Sequence, residues 1–251
     1  MTPVHLDPYM IVVDKPAGLL AVPGRSEADC MATRVQALWP EALVVHRLDI
    51  ATSGLLLLAR GAQMQRLLSQ AFAERRVDKR YIAVVHGLPV EDSGKIDLPL
   101  AADWPNRPRQ QIDHGRGKAA LTLWRVLGRD PATQQTRLEL QPVSGRTHQL
   151  RVHLAAIGHP VVGDALYAPG TPLPSAPFLP AAAGLAALAL DALASTATTA
   201  SPSAASSAAS SAAPAATAPR APPRLLLHAC ALALLHPHSG LRLRFESLAP
   251  F

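Results

Sequence analysis

The sequence predicts an α+β protein, a mixed and mainly antiparallel sheet flanked by helices. Three observations carry this reading. Short apolar runs of strand length, set between polar and turn-forming residues, recur from residue 9 to residue 245. Residues 120–127 and 136–141 alternate apolar and polar side chains, as an antiparallel pair with one wet face does. Outside the Ala-rich segment after residue 170, helical spacing of apolar residues marks three stretches, at 26–39, 63–73 and from Thr147 onward.

In chain order, residues 9–13 form a β-rich run, Asp14-Lys15-Pro16-Ala17-Gly18 a turn, and 19–22 a second extended run that breaks at Pro23-Gly24. The chain opens directly on sheet, which leaves no room for an appended N-terminal binding module. Residues 26–39 set Met31, Val35 and Leu38 at helical spacing and stop before Pro40. Residues 43–45 and 55–59 read as buried strands, joined by a polar turn with His46, Arg47 and Asp49 and a tight reversal at Thr52-Ser53-Gly54. Residues 63–73 place Met64, Leu67, Leu68, Ala71 and Phe72 on one buried helix face. A basic run ending in Lys79-Arg80 leads into a strand at 81–85 that opens on Tyr81. Residues 103–110 are too Pro-rich for regular structure. Thr147 can cap the third helix, which buries Leu150, Leu154 and Ile157 and ends at Gly158 and Pro160. Residues 224–235 form a strongly apolar strand, 236–240 turn, and 241–245 close the sheet.

Between the third helix and that strand the composition shifts to Ala, Ser, Pro and Thr, and Asp191 is the one charged residue from 170 to 219. So few large side chains cannot offset the entropy of ordering the segment, so 170–223 reads as a disordered insert in a single domain spanning 1–251, with a short Ala/Leu helix at 181–194.

The chain has 251 residues, 49% of them hydrophobic, enough for one sizeable core. Its net charge of +6 comes from Arg in excess of acids and favours a polyanionic partner, nucleic acid before an acidic membrane surface. Cys30 and Cys230 show neither CxxC nor Cys/His ligand spacing, which leaves no foothold for a disulfide framework or a zinc site. No apolar run reaches the ~20 residues of a membrane span and no leader pattern opens the chain, so a soluble cytoplasmic protein with no membrane partner is expected. Phosphate-binding Gly loops, HExxH and GxSxG are absent, which removes nucleotide hydrolysis, zinc proteolysis and α/β-hydrolase chemistry.

Five residues then hold the chemistry. Arg47 and Asp49, between two hydrophobic strands, put opposite charges at the rim of a sheet. An active-site loop is built this way, and so is an exposed turn with an incidental ion pair. Arg146 and Arg151 lie near the start of the third helix, against its dipole, which makes sense if an anion is held nearby. His148 and His153, five apart, point about 140° from each other around the axis and cannot share a metal. Tyr81, after a basic run, suits either a strand end with its hydroxyl in solvent or stacking on a base. Trp104 with Arg107 and Arg109 suits either nucleic-acid contact or a solvated loop. A glycoside hydrolase would need a second well-placed acid, and no paired carboxylate is evident.

The chain resembles the RluA family of pseudouridine synthases. The matching pieces, in family order, are DKPAGLLAVPG, HRLDIATSGLLLLAR around Asp49, KRYIAVVHG around Tyr81, SGRTHQLRVHLAAIGHPVVGDALY, and RLLLHA near the C-terminus. They cover nearly the whole chain except the insert, which departs from the family pattern. LPLAADWPNRPRQ, and the lack of an N-terminal S4-like domain, are most similar to the compact member that modifies both 23S rRNA and the tRNA anticodon stem-loop.

The resemblance implies the pseudouridine synthase fold with a central basic cleft and a reaction without cofactor. A uracil is detached from its ribose, turned, and rejoined through carbon 5. Asp49 would be the catalytic carboxylate, Arg151 its partner, and Tyr81 the aromatic packed on the target base. Arg47 would fill the gap left by the flipped nucleotide. His46, Arg146, Arg80, Arg107 and Arg109 would contact RNA, a structured 23S rRNA or tRNA stem-loop, with the enzyme acting as a monomer and without nucleotide cofactor or metal. The competing reading is a non-catalytic RNA-binding or ribosome-assembly protein on the same fold.

Overall fold

The run Leu55-Leu56-Leu57-Leu58 needs both faces of its strand covered, and the fold covers both. The computed structural model describes residues 2–167 and 224–251. The insert read as disordered at 170–223 and the short helix read at 181–194 both fall on residues outside those described. In order, the elements are β1 (His5–Leu6), β2 (Met10–Lys15), α1 (Met31–Gln36), β3 (Ala42–Val44), β4 (Ser53–Arg60), α2 (Gly61–Ala73), β5 (Asp78–His86), β6 (Ser93–Asp97), β7 (Leu100–Ala102), β8 (Gln110–Ile112), β9 (Leu121–Asp130), β10 (Gln135–Pro142), α3 (Gln149–Ala156), β11 (Leu227–Leu235) and β12 (Arg242–Glu246). No described helix is long and apolar enough to cross a membrane.

The main sheet runs β1-β2-β4-β11-β5-β10-β9-β6, with β3 on β4 and β12 on β11. The β4–β11 contact is parallel and the other pairs are antiparallel. β7 and β8 make a separate hairpin. Period-two alternation sends Met10, Val12, Leu55 and Leu57 toward α2, where Met64, Leu68 and Ala71 meet them. Ile11, Val13, Leu56 and Leu58 point the other way, to Met31, Ala32 and Val35 of α1. On the second half of the sheet, Leu150 and Leu154 of α3 pack on Ala83, Val85, Leu138 and Leu140.

Three elements differ from the sequence reading. The first helix is six residues rather than fourteen, because Cys30 caps it and Leu20 bridges to Cys30, holding the preceding residues in an extended path. The reversal expected at Thr52-Ser53-Gly54 falls at residues 49–52, where Thr52 N–H donates to Asp49 O at 3.1 Å, and Ser53 and Gly54 already belong to β4. The third helix is capped by His148 instead of Thr147.

Gly54 is glycine because β11 passes directly over it. At φ +113, a Cβ there would sit 2.3 Å from the Ala229 carbonyl oxygen. Gly54→Ala should therefore cost about 3–5 kcal/mol, the sum of left-handed strain and overpacking, in a chemical denaturation experiment. A loss under about 1 kcal/mol would mean that the β4–β11 contact opens freely.

Candidate active site

β4 and β5 belong to different halves of the sheet, and β11 between them draws the 45–52 loop toward Tyr81 and the start of α3. The result is a cavity of about 490 Å³. Among the described residues lining it, Asp49 is the one carboxylate, set among Arg47, Arg75, Lys79, Arg146 and Arg151. This is the central basic cleft.

Arg151 is the anchor. Its Nε and Nη2 donate to Asp164 Oδ2 and Oδ1, both at 2.7 Å, and the pair is almost wholly excluded from water. Its remaining Nη1 lies 3.6 Å from Asp49 Oδ2. Burial works against the guanidinium's charge, but the Asp164 bonds and the Asp49 charge outweigh it and raise its pKa. The anion expected near this cation is thus first Asp164 and second Asp49. Asp164 Oδ1 also accepts the N–H groups of Leu166 and Tyr167. Sequence reading missed Asp164, because nothing in its spacing ties it to residue 151.

The loop bearing Asp49 is held from below. Lys15 is fully buried and its Nζ donates to the carbonyls of Pro16, Leu19 and Ile50 at 2.9, 2.7 and 3.2 Å. Burial pulls its pKa down to about 8, and the Asp49 charge acts the other way. Gly18 N–H adds a bond to Ile50 O. The Asp-Lys-Pro segment is therefore a clamp on the loop that carries Asp49, a role no motif spacing reveals.

Tyr81 sits in the middle of β5 instead of opening it, among Leu227 and the apolar residues of both adjoining clusters. Burial first, then the Asp49 and Cys230 charges, oppose its ionisation, so it presents a neutral phenol to the cavity.

Two of the residues expected to contact RNA sit in settings that their sequence neighbours do not reveal. Arg80 alternates with Lys79 and Tyr81, so it faces away from the cavity and pairs with Glu139 at 2.6 Å. Lys79 takes the cavity-facing position, its Nζ 3.4 Å from Ser144 O and its pKa lowered by burial and by Arg75. His46 accepts the Leu57 N–H on Nε2 at 2.9 Å and stacks on Phe72 with 4.4 Å between ring centres. Burial and Lys79 push its pKa down to about 3, so it is a neutral wall of the cavity with no charge to offer a phosphate.

Arg47 and Arg146 are exposed on the cavity rim, and Arg146 Nε donates to Ala119 O at 3.2 Å. Arg107 and Arg109 lie outside the cavity, in the β7–β8 hairpin. Arg107 stacks 3.4 Å over the exposed Trp104 ring, and Arg109 lies 5.7 Å from the Tyr167 ring centre. His148 stands beside the carboxylate, its Nε2 3.9 Å from Asp49 Oδ2, while both ring nitrogens of His153 are taken by Thr122 and Leu98 O on the far side of α3.

Residues 9–156 match the RNA pseudouridylate synthase family. The dual-specificity RNA pseudouridine synthase RluA of Escherichia coli (strain K12) is 38% identical over 250 residues, 99% of this chain and 93% of that protein. The protein of the same name from Yersinia pestis is 48% identical over 170 residues, 67% of this chain and 82% of its own length. Human RNA pseudouridylate synthase domain containing 1 shares the fold at a TM-score of 0.67 and 23% identity, covering all of this chain and 84% of the human one. With the matched residues holding every side chain of the cavity wall but Leu227, and one relative aligned along almost the entire chain, the protein belongs to the RNA pseudouridylate synthase family.

Proposed function

We propose that this RNA pseudouridine synthase uses Asp49 as its catalytic carboxylate and that it has dual specificity, as the names of the two bacterial relatives above say of those proteins, its own targets being 23S rRNA and the tRNA anticodon stem-loop. The observation that carries the proposal is the cavity itself, one carboxylate facing a ring of cations in a space the size of a nucleoside pocket. Isomerisation breaks the bond from ribose to N1, forms one from ribose to C5, and moves one proton from C5 to solvent while N1 gains another. The overall balance needs no redox partner. Asp49 supplies the nucleophilic or charge-stabilising group at the glycosidic bond, and Arg151 keeps it ionised and aimed.

Tyr81 holds the uracil face, and as a neutral phenol it offers a hydrogen-bond donor close to Asp49. Extruding the nucleotide costs a few kcal/mol, which stacking on Tyr81 and insertion of Arg47 into the vacated stack offset. Arg75, Lys79 and Arg146 suit the phosphates on either side of the flipped residue. The hairpin tip with Trp104, Arg107 and Arg109 stands outside the cavity, where it can meet the rest of a stem-loop. The reading includes an enzyme that acts as a monomer in the cytoplasm, where rRNA and tRNA are found.

Mapping pseudouridine in bulk rRNA and tRNA, with and without the added protein, tests the reading. New pseudouridine is expected in both RNA classes. Modification of one class alone removes the dual specificity, and modification of neither removes the activity.

A further inference from the structure

We infer that His148 is a positioning residue for the reaction, its imidazole held by Tyr167 in the tautomer that turns Nε2–H toward the Asp49 carboxylate. The inference rests on the reading of Asp49 as the reacting carboxylate.

A chain of hydrogen bonds sets the tautomer. The backbone N–H of Gln110 donates to Tyr167 Oη at 2.8 Å, and Tyr167 Oη lies 2.8 Å from His148 Nδ1. Tyr167 is buried and its pKa is pushed up to about 12, first by burial, so the hydroxyl keeps its proton. With its oxygen already receiving the Gln110 N–H, that proton finds its partner in Nδ1. If Nδ1 carried the ring proton instead, the phenol would take two N–H donors and leave its own O–H with no partner in a buried place, which costs more than either bond gains.

The ring is also neutral. Burial lowers the His148 pKa first, and the Arg151 and Arg47 charges push the same way, against Asp49 and Asp164. A neutral ring accepting at Nδ1 carries its one proton on Nε2, and Nε2 is the nitrogen facing Asp49 Oδ2, at 3.9 Å. Together with Arg151 Nη1 at 3.6 Å, two donors flank one carboxylate oxygen. These distances are open ones, of the kind that tighten when substrate enters. The other oxygen is left to the nucleotide.

Backbone geometry supports a role beyond helix capping. His148 adopts the left-handed conformation, φ 53 and ψ 16, and its side chain makes no cap bond. A non-glycine residue in this region is strained, and such strain is kept where it sets a side chain's direction.

Two substitutions in the full-length protein separate the donor from the backbone. Asn adopts the left-handed region more readily than most residues but is too short to put an N–H at Asp49. Gln fits the backbone less well, yet its amide reaches the position of Nε2. His148→Asn should lower the single-turnover rate of pseudouridine formation about tenfold to a hundredfold, the worth of a hydrogen bond to a charged group, with RNA affinity unchanged. His148→Gln should recover most of that loss. A purely structural role predicts the reverse order, and His148→Asn at the wild-type rate overturns the inference.

Should both variants unfold, Tyr167→Phe decides. Losing the hydroxyl removes a bond that only the neutral ring can accept, so His148 protonates at higher pH. An imidazolium then ties up Asp49, and the acid limb of the rate profile should move to higher pH. An unmoved limb overturns the inference. If Asp49→Asn itself keeps turnover, the reading of Asp49 fails and this inference with it. If Asp49→Asn is inert while His148→Asn is fully active, only this inference fails.

Discussion

Asp49→Asn is expected to abolish pseudouridine formation, by roughly 10⁴-fold or more in single turnover, while the protein still folds and binds RNA. The amide keeps the volume of the carboxylate and can still lie against Arg151 Nη1, so neither the loop nor the Lys15 clamp is disturbed. What it loses is charge and nucleophilicity at the one acidic side chain among the described residues of the cavity wall. RNA binding should hold or tighten, since removing a carboxylate from among five cations leaves phosphates a more positive surface. The measurement pairs a filter-binding titration with single-turnover product analysis on the same RNA. Retained turnover within about tenfold of wild type would take Asp49 out of its proposed role.

Asp164→Ala has the second large effect, and the larger one on stability. Removing one partner of a buried ion pair leaves the other charge unpaired, which costs about 3–5 kcal/mol. Arg151 would then be a buried guanidinium with only a 3.6 Å contact to Asp49 to answer it, and it would swing toward that carboxylate. Leu166 and Tyr167 would lose their acceptor as well. Thermal unfolding should fall by roughly 10 °C for a domain of this size, and activity should drop even well below the new midpoint because the Asp49 carboxylate is then tightly paired with Arg151. A midpoint within a degree or two of wild type would mean that solvent reaches Arg151.

Much of the fold was legible from spacing alone. The helix at 63–73 and the strands at 55–59, 224–235 and 241–245 match α2, β4, β11 and β12 to within three residues. The alternating pair at 120–127 and 136–141 is the antiparallel β9–β10 ladder. Periodicity fails where a few local bonds outweigh it. Leu38 fits a helical stripe but is exposed beyond the C-cap of α1, and Thr147 has the chemistry of a cap but loses the position to His148. Gly54 looked like a turn residue, because a glycine that admits a neighbouring strand and one that reverses the chain read alike.

The site divides along the same line. Asp49, Arg151 and Tyr81 were marked by residue type beside a buried element, and the cavity gathers all three. Arg80 was displaced by Lys79 because strand register, set by pairing with Ala231 and Lys79's own neighbours on β11, decides which of two adjacent cations faces inward. Lys15, Asp164 and Tyr167 went unmarked. Each acts on another residue at a distance in sequence that no local pattern encodes.

The strand that joins the two halves is made late. β11 lies between β4 and β5, yet it follows every other element except β12 along the chain. As the polypeptide leaves the ribosome, β1–β4 and β5–β10 can form their local hairpins, but they share no strand until residues 227–235 have emerged. Asp49 belongs to the first half, and Tyr81 and Arg151 to the second. A nascent chain therefore carries Asp49, Tyr81 and Arg151 well before it holds them together, and the cavity they line cannot form until β11 has emerged.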